Sequence, residues 1–110
     1  MSDVAAADLA RLLTGPVGRR VVAHRTEVLD VLVRHGATNP RLFGSVARGE
    51  DRSDSDVDLL VDFSSGTGLF DIFRLQDELQ SILAVEVDVV APNDLKPAAR
   101  ARIESELVTL

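Results

Sequence analysis

Residues 43–63, FGSVARGEDRSDSDVDLLVDF, limit the possible folds more than any other stretch of the chain. A short apolar approach ends in Gly44 and Ser45, a charged loop follows, and a second apolar run opens at Val57 with Asp56 and Asp58 on either side of it. In a β-strand, residues i and i+2 share a face. A strand over Asp56–Phe63 therefore sets Asp56 and Asp58 side by side and buries Val57, Leu59 and Val61 behind them. Two carboxylates held that close raise each other's energy unless a cation lies between them. Hard oxygen donors of this kind suit Mg²⁺ or Mn²⁺. A Gly-Ser turn can offer backbone N–H groups and a hydroxyl to phosphate oxygens. Phosphate grip and paired carboxylates together are equipment for phosphoryl or nucleotidyl transfer. Asp54, Asp56 and Asp58 also mimic the first ligands of a calcium loop. Leu59 and Ser65, however, stand where such a loop needs Gly and a bidentate Glu.

The rest of the chain alternates helices with short strands. A helix is expected over Asp3–Leu13, with Ser2 as N-cap and Val4, Leu9, Leu12 and Leu13 as its apolar positions, ended by Gly15 and Pro16. A longer helix is expected from Val17 or Gly18 to His35, stopped by Gly36. Asn39-Pro40 reads as a turn, Arg41–Phe43 as a first strand, and 46–50 as a single helical turn. Leu69–Ala84 is an amphipathic helix, with Leu69, Ile72, Phe73, Leu79 and Leu83 on its core side and the phenylalanines as core residues. Val85–Val90 alternates as a third strand, Pro97–Glu106 closes the chain as a helix, and the last three residues are extended. This pattern is an α/β (α+β) chain, and at 110 residues it is expected to be a single domain, 1–110, with 1–15 as an N-terminal helical arm.

Composition narrows the setting. There is no cysteine, which excludes disulfides and thiolate metal sites. No apolar run approaches membrane-spanning length and no signal-peptide pattern opens the chain, so a cytoplasmic, membrane-free protein is expected. The net charge of −6, with no basic stripe, argues against direct nucleic-acid binding and suits a basic partner protein. His24 and His35, eleven residues apart, form no metal pair on one helix face and read as surface or capping residues.

Gly44-Ser45, then Ala47-Arg48-Gly49, then Ser55-Asp56-Val57-Asp58-Leu59 resemble the signature of the minimal nucleotidyltransferases of the DNA polymerase β superfamily. The resemblance runs from about His35 to the C-terminus. It implies a small mixed sheet backed by helices, and a site in which Asp56, Asp58 and a third acid on a neighbouring strand are both catalytic and metal-ligating. Asp88 fits that third place, with Glu86 as its rival. Gly44 and Ser45 would hold the nucleotide's β- and γ-phosphates. Arg48 would either reach phosphate or tie the loop to a carboxylate. The cofactor implied is Mg²⁺, one or two ions, with ATP as the donor substrate. Minimal nucleotidyltransferases are often antitoxins paired with HEPN-domain ribonuclease toxins. The resemblance therefore implies AMP transfer to a hydroxyl, a tyrosine in such pairs, of a HEPN-type toxin within a type VII toxin–antitoxin hetero-oligomer. Two other functions compatible with the same residues are a non-catalytic antitoxin that masks its toxin by binding, and a nucleotidyltransferase for a small molecule. The chain has no tyrosine, so it cannot modify itself on one.

Overall fold

The computed structural model describes residues 2–110. The elements are α1 (Ser2–Leu12), α2 (Pro16–Ala23), α3 (Arg25–Arg34), β1 (Ala37–Phe43), α4 (Gly44–Arg48), β2 (Val57–Phe63), α5 (Leu69–Leu83), β3 (Val87–Val90), a 3₁₀ turn at Pro92–Asp94, α6 (Pro97–Glu104) and β4 (Val108–Thr109). The four strands form one mixed sheet in the order β3-β2-β1-β4. β2 runs parallel to β3 and antiparallel to β1, and β1 is antiparallel to β4. Among the described residues no helix is long and apolar enough to cross a membrane.

Strand parity builds the core. Leu42, Val57, Leu59, Val61, Val87 and Val89 are buried on one face with Val28, Val31 and Leu32 of α3 and Leu75, Leu79 and Leu83 of α5. Each such side chain contributes roughly 1.5–3 kcal/mol on leaving water. Residues of the other parity, Asp58 and Asp88 among them, turn to the opposite face. Leu60 on that face is buried near Ile103 of α6, apart from the main cluster, and the two help line a cavity of about 230 Å³. β3 is an edge strand, and α5 covers its free donors: the backbone N–H groups of Val87 and Val89 donate to Gln80 Oε1 (3.1 Å) and Gln76 Oε1 (2.9 Å). Gln76 and Gln80 share a helix face, so one helix both supplies apolar cover and closes the sheet edge.

Several expectations change. The single long helix is two, α2 and α3, meeting at His24, although Val28 N–H still donates to the His24 carbonyl. The halves are tethered to different places: Arg20 Nη1 donates to the Leu83 carbonyl (2.6 Å) and Arg25 Nε to the Leu110 carbonyl (2.8 Å). Asn39-Pro40 does not precede the first strand. It is an irregularity inside β1, where Asn39 adopts φ +52° and the register shifts between Thr38 and Arg41. Leu69 and Phe73 are exposed rather than core, and so is Phe70 (76 % exposed), because the buried stripe of α5 is Leu75, Leu79 and Leu83. At about 100° per residue, Phe70 and Phe73 fall off that stripe. β3 begins at Val87 rather than Val85, and α6 ends at Glu104 rather than Glu106. Leu9 and Leu13 are buried and Leu12 is exposed. The Ser2 cap and the Val4 contact involve side chains outside those described.

Candidate active site

Asp58 is the second residue of β2, with both neighbouring strands beside it. Its register partners are Phe43 on β1 and Asp88 on β3. Adjacent strands run about 4.8 Å apart, so the parallel pairing brings two carboxylates to one face. Asp56 precedes β2 by one residue and is exposed, whereas Asp58 is partly buried. Glu86, the rival third acid, lies just outside β3, is exposed, and uses its carbonyl to accept the Val57 N–H. Register therefore sets Asp88 beside Asp58.

Burial first, and then the nearby charges of Asp88, Asp56 and Glu106, together push the Asp58 carboxyl up to about 6, against a smaller opposing pull from Arg48. The site is thus short of positive charge at the point where three carboxylates lie near a fourth. Among the described residues no three Asp, Glu or His side chains are drawn into a closed metal-holding group. The donor chemistry nonetheless fits a hard divalent cation, since every available ligand is a carboxylate oxygen and Asp58 resists ionising without one. Asp56, Asp58 and Asp88 are the residues that would hold it.

Gly44 makes the close packing possible. Its φ is +76°, in the left-handed region, and a β-carbon there would lie 2.2 Å from Asp58 Oδ2. Only glycine satisfies both conditions. Ser45 follows it, partly exposed, in the first turn of α4.

Two further residues shape the site and were not singled out from the sequence. Glu106, in the link between α6 and β4, accepts the Gly44 N–H on Oε2 at 2.5 Å. Arg48 Nη1 donates to the same oxygen at 3.1 Å, and Arg48 Nε donates to Glu50 Oε1 at 2.9 Å. Of the two roles open to Arg48, the structure has it tied to carboxylates. Asp51, in the loop leading to Asp56, is buried and accepts the N–H groups of Val17 (2.8 Å) and Gly18 (3.0 Å). It caps α2 from a distant part of the chain. Gly15 leaves room for this, since a β-carbon there would lie 1.9 Å from Asp51 Oδ1. Ser55 steadies the same loop by accepting the Arg52 N–H (2.8 Å). A local signal for Glu106 or Asp51 is lacking, because both act across more than thirty residues.

His24 and His35 stay out of this site and pair with Glu27 and Glu78, both at 2.9 Å. Lys96 is exposed at the start of α6.

Residues 27–110 match the family described as nucleotidyltransferase domain. The protein adenylyltransferase MntA of Thermococcus cleftensis is 33 % identical over 100 residues, covering 91 % of this chain and 98 % of that protein. A solved structure described as a candidate minimal nucleotidyltransferase superposes with a TM-score of 0.72 at 48 % identity, over 80 % of this chain and 90 % of the other. A chain from a complex of tri-AMPylated Shewanella oneidensis HEPN toxin with MNT antitoxin shares the fold, with a TM-score of 0.61 at 17 % identity, over 79 % and 68 % of the two chains.

Proposed function

The chain belongs to the nucleotidyltransferase domain family, in its minimal form, and on that premise we propose that it transfers AMP from ATP to a hydroxyl of a partner protein. The observation that carries this proposal is the strand register that sets Asp88 beside Asp58, with Asp56 upstream and the Gly44 turn in contact with Asp58. Asp56, Asp58 and Asp88 would hold Mg²⁺, which when bound would offset the negative charge of the triphosphate and of the carboxylates themselves. Gly44 and Ser45 receive the β- and γ-phosphates. The partner's hydroxyl oxygen attacks the α-phosphorus in line, the bond to the bridging oxygen breaks, and pyrophosphate leaves. Asp88 takes the hydroxyl proton. Positioning and electrostatics do most of the work in such a transfer.

The acceptor we favour is a tyrosine of a HEPN-type ribonuclease toxin, with this chain as antitoxin in a type VII pair. Support comes from the similarity to a protein named as a protein adenylyltransferase and from the fold shared with an MNT antitoxin in complex with an AMPylated toxin. The chain's net charge of −6 suits a basic partner. Residues 1–110 act as one domain in this reading, in the cytoplasm, where ATP is supplied.

Intact mass of a co-expressed HEPN-type partner tests the proposal. With the wild-type chain, a gain of one or more units of about 329 Da, the mass of the group moved by metal-assisted displacement, is expected. It should vanish with Asp56→Asn/Asp58→Asn. An unmodified partner that is nevertheless neutralised and bound equally by both forms would make the chain a masking antitoxin instead.

A further inference from the structure

Glu106 occupies the groups that a triphosphate would need. Its Oε2 accepts the Gly44 N–H at 2.5 Å and the Arg48 Nη1 at 3.1 Å, and its Oε1 lies 3.4 Å from the same Arg48 nitrogen. The Glu106 side chain is only 18 % exposed, so this is a seated contact rather than a passing one. A carboxylate and a phosphate oxygen are both anions seeking the same N–H and guanidinium donors. They cannot share the Gly44 hydrogen. The segment that presents Glu106 is well placed to release it: 105–107 form the short link between α6 and β4, and β4 is a two-residue strand, Val108 and Thr109, at the edge of the sheet. Anchors on either side, Ile103 buried in α6 and the Leu110 N–H donating to the Pro40 carbonyl (3.0 Å), hold the backbone while the side chain turns.

From this geometry we infer that Glu106 is an intramolecular occupant of the phosphate-binding groups, which the nucleotide must displace to bind. Displacement moves one carboxylate out of the site as the triphosphate enters, so the charge added to the carboxylate cluster is smaller than the nucleotide's own. It also hands Arg48 from Glu106 to phosphate. The residue thus sets how tightly the resting enzyme holds ATP. It takes no part in the chemistry. The inference rests on the reading that the Gly44 turn receives phosphate, to which it adds Arg48.

Titration calorimetry with ATP plus Mg²⁺, and separately with tripolyphosphate, on wild type and Glu106→Gln tests it. The substitution keeps the shape and removes the charge that holds Arg48. Binding of both ligands is expected to tighten about tenfold. Glu106→Asp keeps the charge but is one methylene short of Gly44, and should tighten binding by a smaller factor. Unchanged or weaker binding in Glu106→Gln, with ATP still bound by wild type, overturns the inference and makes Glu106 a structural or metal-assisting residue, while the nucleotidyltransferase reading stands. No binding of ATP or tripolyphosphate by either form removes the phosphate reading and this inference with it.

Discussion

Asp58 shows how a single side chain can be costly to the fold and yet central to a proposed site. Its carboxyl titrates near 6 because burial, and then the charges of Asp88, Asp56 and Glu106, disfavour ionisation. A folded-state value above the ordinary 3.8 means that the native protein binds the proton more tightly than the unfolded chain. Stability from this residue is therefore fully present below about pH 4 and is lost as pH rises through 6. Asp58→Asn removes the penalty at neutral pH. After allowance for solvent screening, the gain should be about 1 kcal/mol, or a rise in Tm of about 5 °C at pH 7.5. The difference from wild type should shrink towards pH 4, while AMP transfer is abolished at every pH. Thermal melts across pH 4–8 check this, and a variant less stable than wild type at pH 7.5 would show that Asp58 is held by favourable contacts instead. The residue pair and its strand were legible in the sequence because a period of two is local. The rise in pKa was not, because two of its causes, Asp88 and Glu106, stand thirty or more residues away.

At the level of elements, α5 carries two roles on adjacent faces. Leu75, Leu79 and Leu83 face the sheet, and Gln76 and Gln80 close the edge of β3. The apolar residues at its start are exposed, although their chemistry suggests core. Periodicity identified the helix and most of its length but placed Leu69 and Phe73 on the wrong side, since a helix rich in apolar residues offers more than one stripe of plausible width. The distinction has an energetic consequence. Leu75→Ala should cost about 3 kcal/mol through the cavity it leaves, whereas Phe73→Ser should change stability by less than about 0.5 kcal/mol. Urea titration of the two variants separates these outcomes; a large loss for Phe73→Ser would show that the ring is packed.

Across the whole molecule, the loop that delivers Asp56 is fastened to the N-terminal third of the chain. Asp51 receives the Val17 and Gly18 N–H groups, replacing the local cap that Gly15 cannot provide. Losing it leaves two helix donors and the loop unsecured. Asp51→Ala should cost about 2 kcal/mol, measured as a lower denaturation midpoint, and should lower AMP transfer even at temperatures where the variant is folded. Unchanged stability would mean that solvent replaces the cap. Some features belong to the sequence alone: the strand that carries Asp58 just after Asp56, the glycine turn before it, the alternation of helices and strands, and the family signature they make. These depend on neighbours within a few residues, and strand parity or turn chemistry expresses them directly. Which acid stands beside Asp58, what Arg48 holds, how Asp51 caps a distant helix and where Glu106 comes to rest were decided by the tertiary structure. Each is a contact between segments widely separated along the chain, and only the pairing of β2 with β3 and the return of the chain through α6 to β4 bring them together.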